Sequence, residues 1–311
     1  MAWTVTYDLD EFRAAAGGFL RARPARHTTL LTVVSSLVAA GGGRYGDQPP
    51  VYGWWTGEEA DPVSAAQGPV RGPVHGPVRG AFLCTPPYPP LLSPLSGEAA
   101  QELARTLARD REWQITGVNA GRETAETFAT AWQRLTGASS SVEQFHRLYR
   151  LGDLIPSDPA PPGRARTATT ADRDLLITWC EGFARDTGAL MGDAAKQVDD
   201  KLSHGGITLW ELDGRPVACA GISRTVADMA RVALVYTPPE LRGRGYAGAA
   251  TAAVSRAARA AGVTEVLLFT DLANPTSNAL YQRLGYRPVE DHLLLSFTSA
   301  DHPVPEQGHP S

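Results

Sequence analysis

The sequence predicts an α/β (α+β) fold of two tandem domains, each a mixed, mostly antiparallel twisted sheet flanked by helices. Three observations predict it. The second half of the chain reads β-α-α-β-β-β-α-β-α-β, an order that a purely parallel sheet cannot accommodate. Asp213-Gly214 joins two of those strands as a two-residue hairpin turn. Short strings then recur in the same order in both halves of the 311 residues.

Taken in order, residues 164–169 read as a short strand, and Thr170-Ala171-Asp172 as the entry to a helix carrying Leu175, Ile177, Trp179 and Phe183. An amphipathic helix follows over 193–202. The strand 207–212 turns at Asp213-Gly214 into a strand over 216–223. The strand 229–236 stops at Pro238-Pro239, where the rings fix φ and remove two donors. An alanine-rich helix spans 246–261, an apolar strand 263–270, and a helix 275–284 closed by Gly285-Tyr286. The last strand covers 289–297.

The first half echoes this string. Thr85-Pro86-Pro87 matches Thr237-Pro238-Pro239 at a spacing of 152, and Gln133-Arg134-Leu135 matches Gln282-Arg283-Leu284 at 149. Between those marks lie an alanine-rich helix over 97–110 and an apolar strand over 113–118. The expected division is a first domain at 1–155 and a Pro-rich linker at 156–165. A second domain at 166–299 and a disordered tail at 300–311 complete it. Within the first domain, three Gly-Pro-Val units inside 63–80 have no periodic face to bury and read as a long, partly extended loop.

Composition narrows the function classes. Hydrophobic residues make up 43% and charged residues 20%, which is enough apolar material for two cores and excludes a chain disordered throughout. The net charge is -4, with Lys196 and Lys201 the only lysines, so there is no global positive field for nucleic acid or an anionic membrane. Cys84, Cys180 and Cys219 are widely spaced and odd in number, which argues against a disulfide framework and for buried thiols. The start lacks a basic stretch followed by an apolar one, and 30–40 is too short to cross a bilayer. A cytoplasmic protein is therefore expected. The seven histidines show no metal-ligand spacing, and no metal is expected.

One junction carries the chemistry. Arg242-Gly243-Arg244-Gly245-Tyr246-Ala247 lies between a strand and a helix, where first-turn N–H groups lack partners and the helix dipole favours an anion. Glycines without Cβ let a phosphate oxygen approach the backbone, and Arg242 and Arg244 add cationic donors. The first copy has Leu91-Leu92-Ser93-Pro94-Leu95-Ser96 there instead, with neither glycine nor arginine. Its Ser93, Thr116 and Asn119 are expected to be surface polar groups.

The segment 235–247 resembles the acyl-CoA signature of the GNAT superfamily of N-acetyltransferases, Gln/Arg-x-x-Gly-x-Gly/Ala, through Arg242, Gly245 and Ala247. Asn274, Asn278-Ala279-Leu280-Tyr281 and Leu284-Gly285-Tyr286 follow in the family's order. The resemblance covers about 166–297, and the chain looks like a tandem member whose first domain is degenerate.

The resemblance implies that acetyl-CoA lies between the strands ending at Tyr236 and Thr270. Val235, Tyr236 and Thr237 would meet the pantetheine arm, and Gly243 to Gly248 the pyrophosphate. Tyr281 takes the family position of the general acid, and Asn274 is either a cofactor contact or a helix cap. One branch of the family puts a glutamate where Phe269 stands. Glu211, Asp228, Glu240 and Asp271 are the carboxylates left as candidate bases, beside a water chain, and His292 is the histidine expected nearest the site. The implied activity moves an acetyl or short acyl group to a primary amine of a small molecule or peptide. A homodimer is compatible with this reading. A non-catalytic acyl-CoA-binding or regulatory module is the alternative.

Overall fold

The computed structural model describes residues 2–41, 45–57, 76–109, 113, 115–188 and 192–298. Most of the Gly-Pro-Val stretch and the 300–311 tail lie outside them. Of the third repeat, Val78 and Arg79 open a strand rather than extend the loop.

The chain divides into two compact units, Met1–Phe145 with Asp291–Ser311, and His146–Glu290. The first contains β1 (Ala2–Thr6), α1 (Leu9–Ala22), α2 (Thr28–Ala40), β2 (Val51–Thr56), β3 (Val78–Cys84), β4 (Leu91–Leu92), α3 (Gly97–Arg109), β5 (Gly117–Gly121) and α4 (Arg122–Thr136). Next comes β6 (Ser139–Leu151), which crosses from the first unit into the second. The second unit continues with β7 (Arg164–Thr167), α5 (Arg173–Thr187), α6 (Ala194–Leu202), β8 (Ile207–Leu212), β9 (Arg215–Ile222) and β10 (Met229–Tyr236). It ends with α7 (Tyr246–Ala260), β11 (Glu265–Asp271) and α8 (Pro275–Arg283), after which β12 (Tyr286–Thr298) crosses back.

In the second unit β7, β8, β9 and β10 are antiparallel neighbours, β10 and β11 are parallel, and β11 pairs antiparallel with residues 146–150 of β6. In the first unit β1 to β4 are antiparallel in order, β4 and β5 are parallel, and β5 pairs antiparallel with residues 292–296 of β12. The units therefore divide at 145/146 and 290/291, unlike the expected division at 156–165, because each sheet takes its last strand from the other half of the sequence. Burial sorts the strands. Tyr149 and Leu151 lie in the core of the second unit, while Leu293 and Leu295 lie in that of the first, beside Val118 and Trp132. Apolar residues cluster toward the end of both strands, and nothing local in either says which sheet it joins.

Alternation along β9 sets the layers of the second unit. Ala218 and Ala220 face α7, whose Ala249, Ala250 and Ala252 let helix and sheet approach closely. Cys219 faces the opposite way, toward Leu176, Trp179, Cys180 and Val198 of α5 and α6. At the β8–β9 turn Asp213 and Gly214 both have positive φ, 50° and 76°, as a tight hairpin with the native strand twist requires. All three cysteines are buried and free, and burial pushes the Cys84 and Cys219 thiols up to about 12. No helix among the described residues is long and apolar enough to cross a membrane.

Candidate functional site

A bulge in β10 opens the site. Val232 pairs with Ile222 and Ala233 with Gly221, but Tyr236 pairs with Cys219, so β10 carries one residue more than β9 over that stretch. The extra residue is accommodated at Leu234, whose φ is +57°. A leucine in that left-handed region costs about 1–2 kcal/mol. Its side chain is buried among Trp179, Leu176 and Cys180, and burial of a leucine contributes about 1.5–3 kcal/mol, so burial wins. Beside the bulge, the parallel pairing of β10 with β11 stops at Val232 and Leu268, although both strands continue. From Ala233 onward the β10 edge facing β11 has no strand against it. Thr237, 8% exposed, adds a buried hydroxyl with no partner among the described residues.

The glycine loop follows. Gly243 and Gly245 adopt φ of +76° and +83°, and Gly245 is the N-cap of α7 with no side-chain hydrogen bond to the helix end. No N-cap side chain therefore takes up the first-turn N–H groups of α7. Ala247 and Gly248 begin that turn, and a Cβ on Gly248 would come within 3.0 Å of Leu280 Cδ1. Tyr246, 4% exposed, belongs to the core by its side chain, so its backbone is the part that can meet a ligand.

The two arginines divide roles that the sequence treats alike. Arg244 is exposed, with one contact to the Glu240 carbonyl at 3.3 Å. Arg242 is tied down: its Nε donates to the Thr237 carbonyl at 3.0 Å, its Nη2 donates to Asp186, and its guanidinium lies 5.8 Å from the Tyr236 ring centre. Tyr236 in turn packs at 6.1 Å from Trp179 and over Gly182, where a Cβ would stand 2.5 Å from the tyrosine hydroxyl. Gly182 and Asp186 lie one turn apart on α5, so one face of that helix clamps the end of β10. Sequence reasoning missed both, since nothing local links position 186 to 242.

Tyr281 on α8 is 7% exposed and stands edge-on to Tyr286 at 6.0 Å. The two rings differ at their tips. The Tyr286 hydroxyl exchanges a 2.8 Å hydrogen bond with Ser255, whereas that of Tyr281 has no partner among the described residues. Burial raises the Tyr281 phenol well above its ordinary value, which keeps it protonated and able to donate. Asn274 caps α8, its Oδ1 accepting from the Ser277 N–H at 3.0 Å. Asn278 fastens the same helix: its Nδ2 donates to the Asp271 carbonyl at 2.7 Å, and its Oδ1 accepts from Tyr149 at 3.0 Å.

The candidate bases separate by position. Glu211 is held by Arg166 at 2.7 Å and by Arg164, and those contacts push its carboxyl below the usual range. Asp228 precedes β10, at the end away from the bulge. Asp271 ends β11, with one oxygen accepting from the Ala273 N–H at 2.8 Å, and Glu240 is exposed in the turn before the glycine loop. His292, the histidine expected nearest the site, lies on β12 and pairs with Gly121 of β5 in the first unit. Ser93 is not the surface group expected: it is fully buried. Among the described residues no cluster of His, Cys, Asp or Glu could hold a metal ion.

Residues 174–286 match the family described as "Acetyltransferase (GNAT) family". A GCN5-related N-acetyltransferase from Sphaerobacter thermophilus shares the fold with a TM-score of 0.61 at 15% identity, over 96% of this chain and 95% of that one. An acetyltransferase of the GNAT family from Colwellia psychrerythraea gives 0.56 at 11% identity, over 96% and 99%. A Drosophila protein gives 0.63 at 11% identity, over 95% and 98%. At these identities the likeness concerns fold. No curated protein matches the chain.

Proposed function

We propose, taking residues 174–286 as the GNAT acetyltransferase domain they match, that the second unit moves an acetyl or other short acyl group from acyl-CoA to an amine. The observation that carries this reading is the unpaired β10 edge from Ala233 to Tyr236, opening directly beside the glycine-capped start of α7. Bound acyl-CoA supplies an activated thioester. The backbone of Val235, Tyr236 and Thr237 holds its pantetheine arm as an added strand would, with the Thr237 hydroxyl as a further partner. The N–H groups from Gly243 to Gly248 hold the diphosphate, with Arg244 as an adjacent exposed cation. Arg242 acts by shape, keeping the strand end and the loop in register. An N–H of the splayed strand polarises the thioester carbonyl, and Tyr281 donates a proton to the departing sulfur.

The acceptor is a primary amine of a small molecule or peptide, which must lose a proton before or during attack. Asp271 and Glu240 are the carboxylates at the open end, beside solvent water. The test is acetyl-CoA turnover across a panel of amines, with Tyr281→Phe as the variant. The expected result is thiol release with at least one amine, and a loss of roughly a hundredfold or more in kcat for Tyr281→Phe with acetyl-CoA affinity retained. Binding without turnover for any amine would favour the non-catalytic acyl-CoA module.

A further inference from the structure

The helix that carries Tyr281 is too short to hold itself in place. α8 has nine residues, about two and a half turns, and an isolated helix of that length is marginal in water. Its rotation must therefore come from contacts with the rest of the second unit. Polar contacts from two of its turns converge on one hydroxyl of the sheet. That hydroxyl belongs to Tyr149 of β6, which is fully buried in the same core as Tyr281, Leu284 and Tyr286 and pairs with Leu268 of β11. Tyr149 lies outside 174–286, the residues that match the acetyltransferase family.

The hydrogen bonds around that hydroxyl have only one direction. Asn278 Nδ2 faces two carbonyls, those of Asp271 at 2.7 Å and Asn274 at 2.8 Å, where only the nitrogen can donate. Asn278 Oδ1 is thereby turned to Tyr149 and accepts at 3.0 Å, so the Tyr149 hydroxyl spends its one proton there. The Tyr149 oxygen keeps only lone pairs, and Gln282 Nε2 donates to it at 3.1 Å. Donors run in one sense from Gln282 through Tyr149 and Asn278 to the end of β11. Asn278 and Gln282 are four residues apart, so one face of α8 is bound at two successive turns. Tyr281 stands three residues from one and next to the other, and any rotation of α8 that breaks these contacts swings its ring. Among the described residues the Tyr281 hydroxyl has no hydrogen bond of its own, so its place depends on the helix that bears it.

We propose that Tyr149 is the positioning residue for the proton donor: through Asn278 and Gln282 its hydroxyl sets the rotation of α8 and with it the place of the Tyr281 phenol. This role rests on the acyl transfer proposed for the second unit. A reacting group misplaced by about 1 Å costs on the order of a hundredfold in rate. Tyr149→Phe deletes one oxygen, keeps the ring, and leaves Asn278 and Gln282 without their shared partner.

Steady-state kinetics on the full chain tests it, with acetyl-CoA and the best amine of the panel, for the parent, Tyr149→Phe, Tyr281→Phe and the double variant. Tyr149→Phe should lower kcat about 10- to 100-fold and leave the acetyl-CoA KM within about twofold. In the Tyr281→Phe background the same change should cost no more than about twofold in kcat, because the group it positions is gone. Gln282→Met, at an exposed residue, removes one bond of the chain without touching the core and should lower kcat about threefold. A parent-like kcat in Tyr149→Phe, or a loss that multiplies fully with that of Tyr281→Phe, would overturn the proposal and leave acyl transfer standing. Should Tyr149→Phe not fold, a parent-like kcat in Gln282→Met overturns it instead. A parent that turns over no amine would refute acyl transfer itself, and the role of Tyr149 with it.

Discussion

Gly245→Val separates a phosphate cradle from a mere turn. The glycine sits at φ +83°, and a Cβ built there meets nothing nearer than Pro161 at 3.7 Å, which is ordinary contact. The protein therefore has room for the side chain, and the cost lies in the backbone. A β-branched residue held in the left-handed region costs about 1–3 kcal/mol. It also stands over the first-turn N–H groups of α7. If the loop keeps this conformation only to hold a ligand, that cost falls on binding and weakens acetyl-CoA about 5- to 150-fold. Gly214→Val is the matched control: its φ is +76° and nothing lies within 4 Å of the added Cβ, but it belongs to the β8–β9 hairpin. Titration calorimetry gives the affinity and scanning calorimetry the Tm. Gly214→Val should melt lower than the parent with its affinity kept, whereas Gly245→Val should lose affinity with little change in Tm. Equal affinities for the two variants would refute the cradle.

Two further outcomes follow from ion pairs in the second unit. Asp186→Asn releases Arg242 from α5, and because the pair is partly exposed the expected effect is modest: a rise of about threefold in the acetyl-CoA KM, kcat nearly unchanged, and recovery in Asp186→Glu. A fall in Tm with unchanged KM would show that the pair only stabilises the fold. Asp172 accepts two hydrogen bonds from Arg166, at 2.7 and 2.8 Å, and these hold its carboxyl at about 2 despite burial. A depressed carboxylate stabilises the fold above its unfolded value and loses that contribution as pH falls from about 4 to about 2. Asp172→Asn should thus cost about 2 kcal/mol at neutral pH and flatten the urea midpoint across that acid window. A variant with the parent's acid slope would contradict this assignment.

The elements of the second unit were legible because their signals are local. The Asp213-Gly214 turn, the Pro238-Pro239 stop and the alanine face of α7 each identify themselves within a few residues, and their ends fall within about two residues of expectation. What could not be read was long-range or against propensity. Leu234 in a left-handed conformation has no marker, since the leucine is kept there by packing rather than preference. Leu91-Leu92 looked like a loop without glycines, yet its apolar pair completes a sheet. The 13-residue strands β6 and β12 were visible only in part, and their partners were not, because strand pairing across the chain leaves no local mark. At the site, the glycine loop and Tyr281 came from the motif. The capture of Arg242 by Asp186, and the exclusion of Glu211 by Arg166, depend on contacts across dozens of residues.

A crystal of the chain grown with coenzyme A tests the central claim most directly. The account predicts the pantetheine arm along β10 from Val235 to Thr237, the diphosphate on the N–H groups of 243–248, and the sulfur within reach of the Tyr281 hydroxyl. Coenzyme bound elsewhere at full occupancy, or a splay between β10 and β11 that stays empty at saturating concentration, would contradict it.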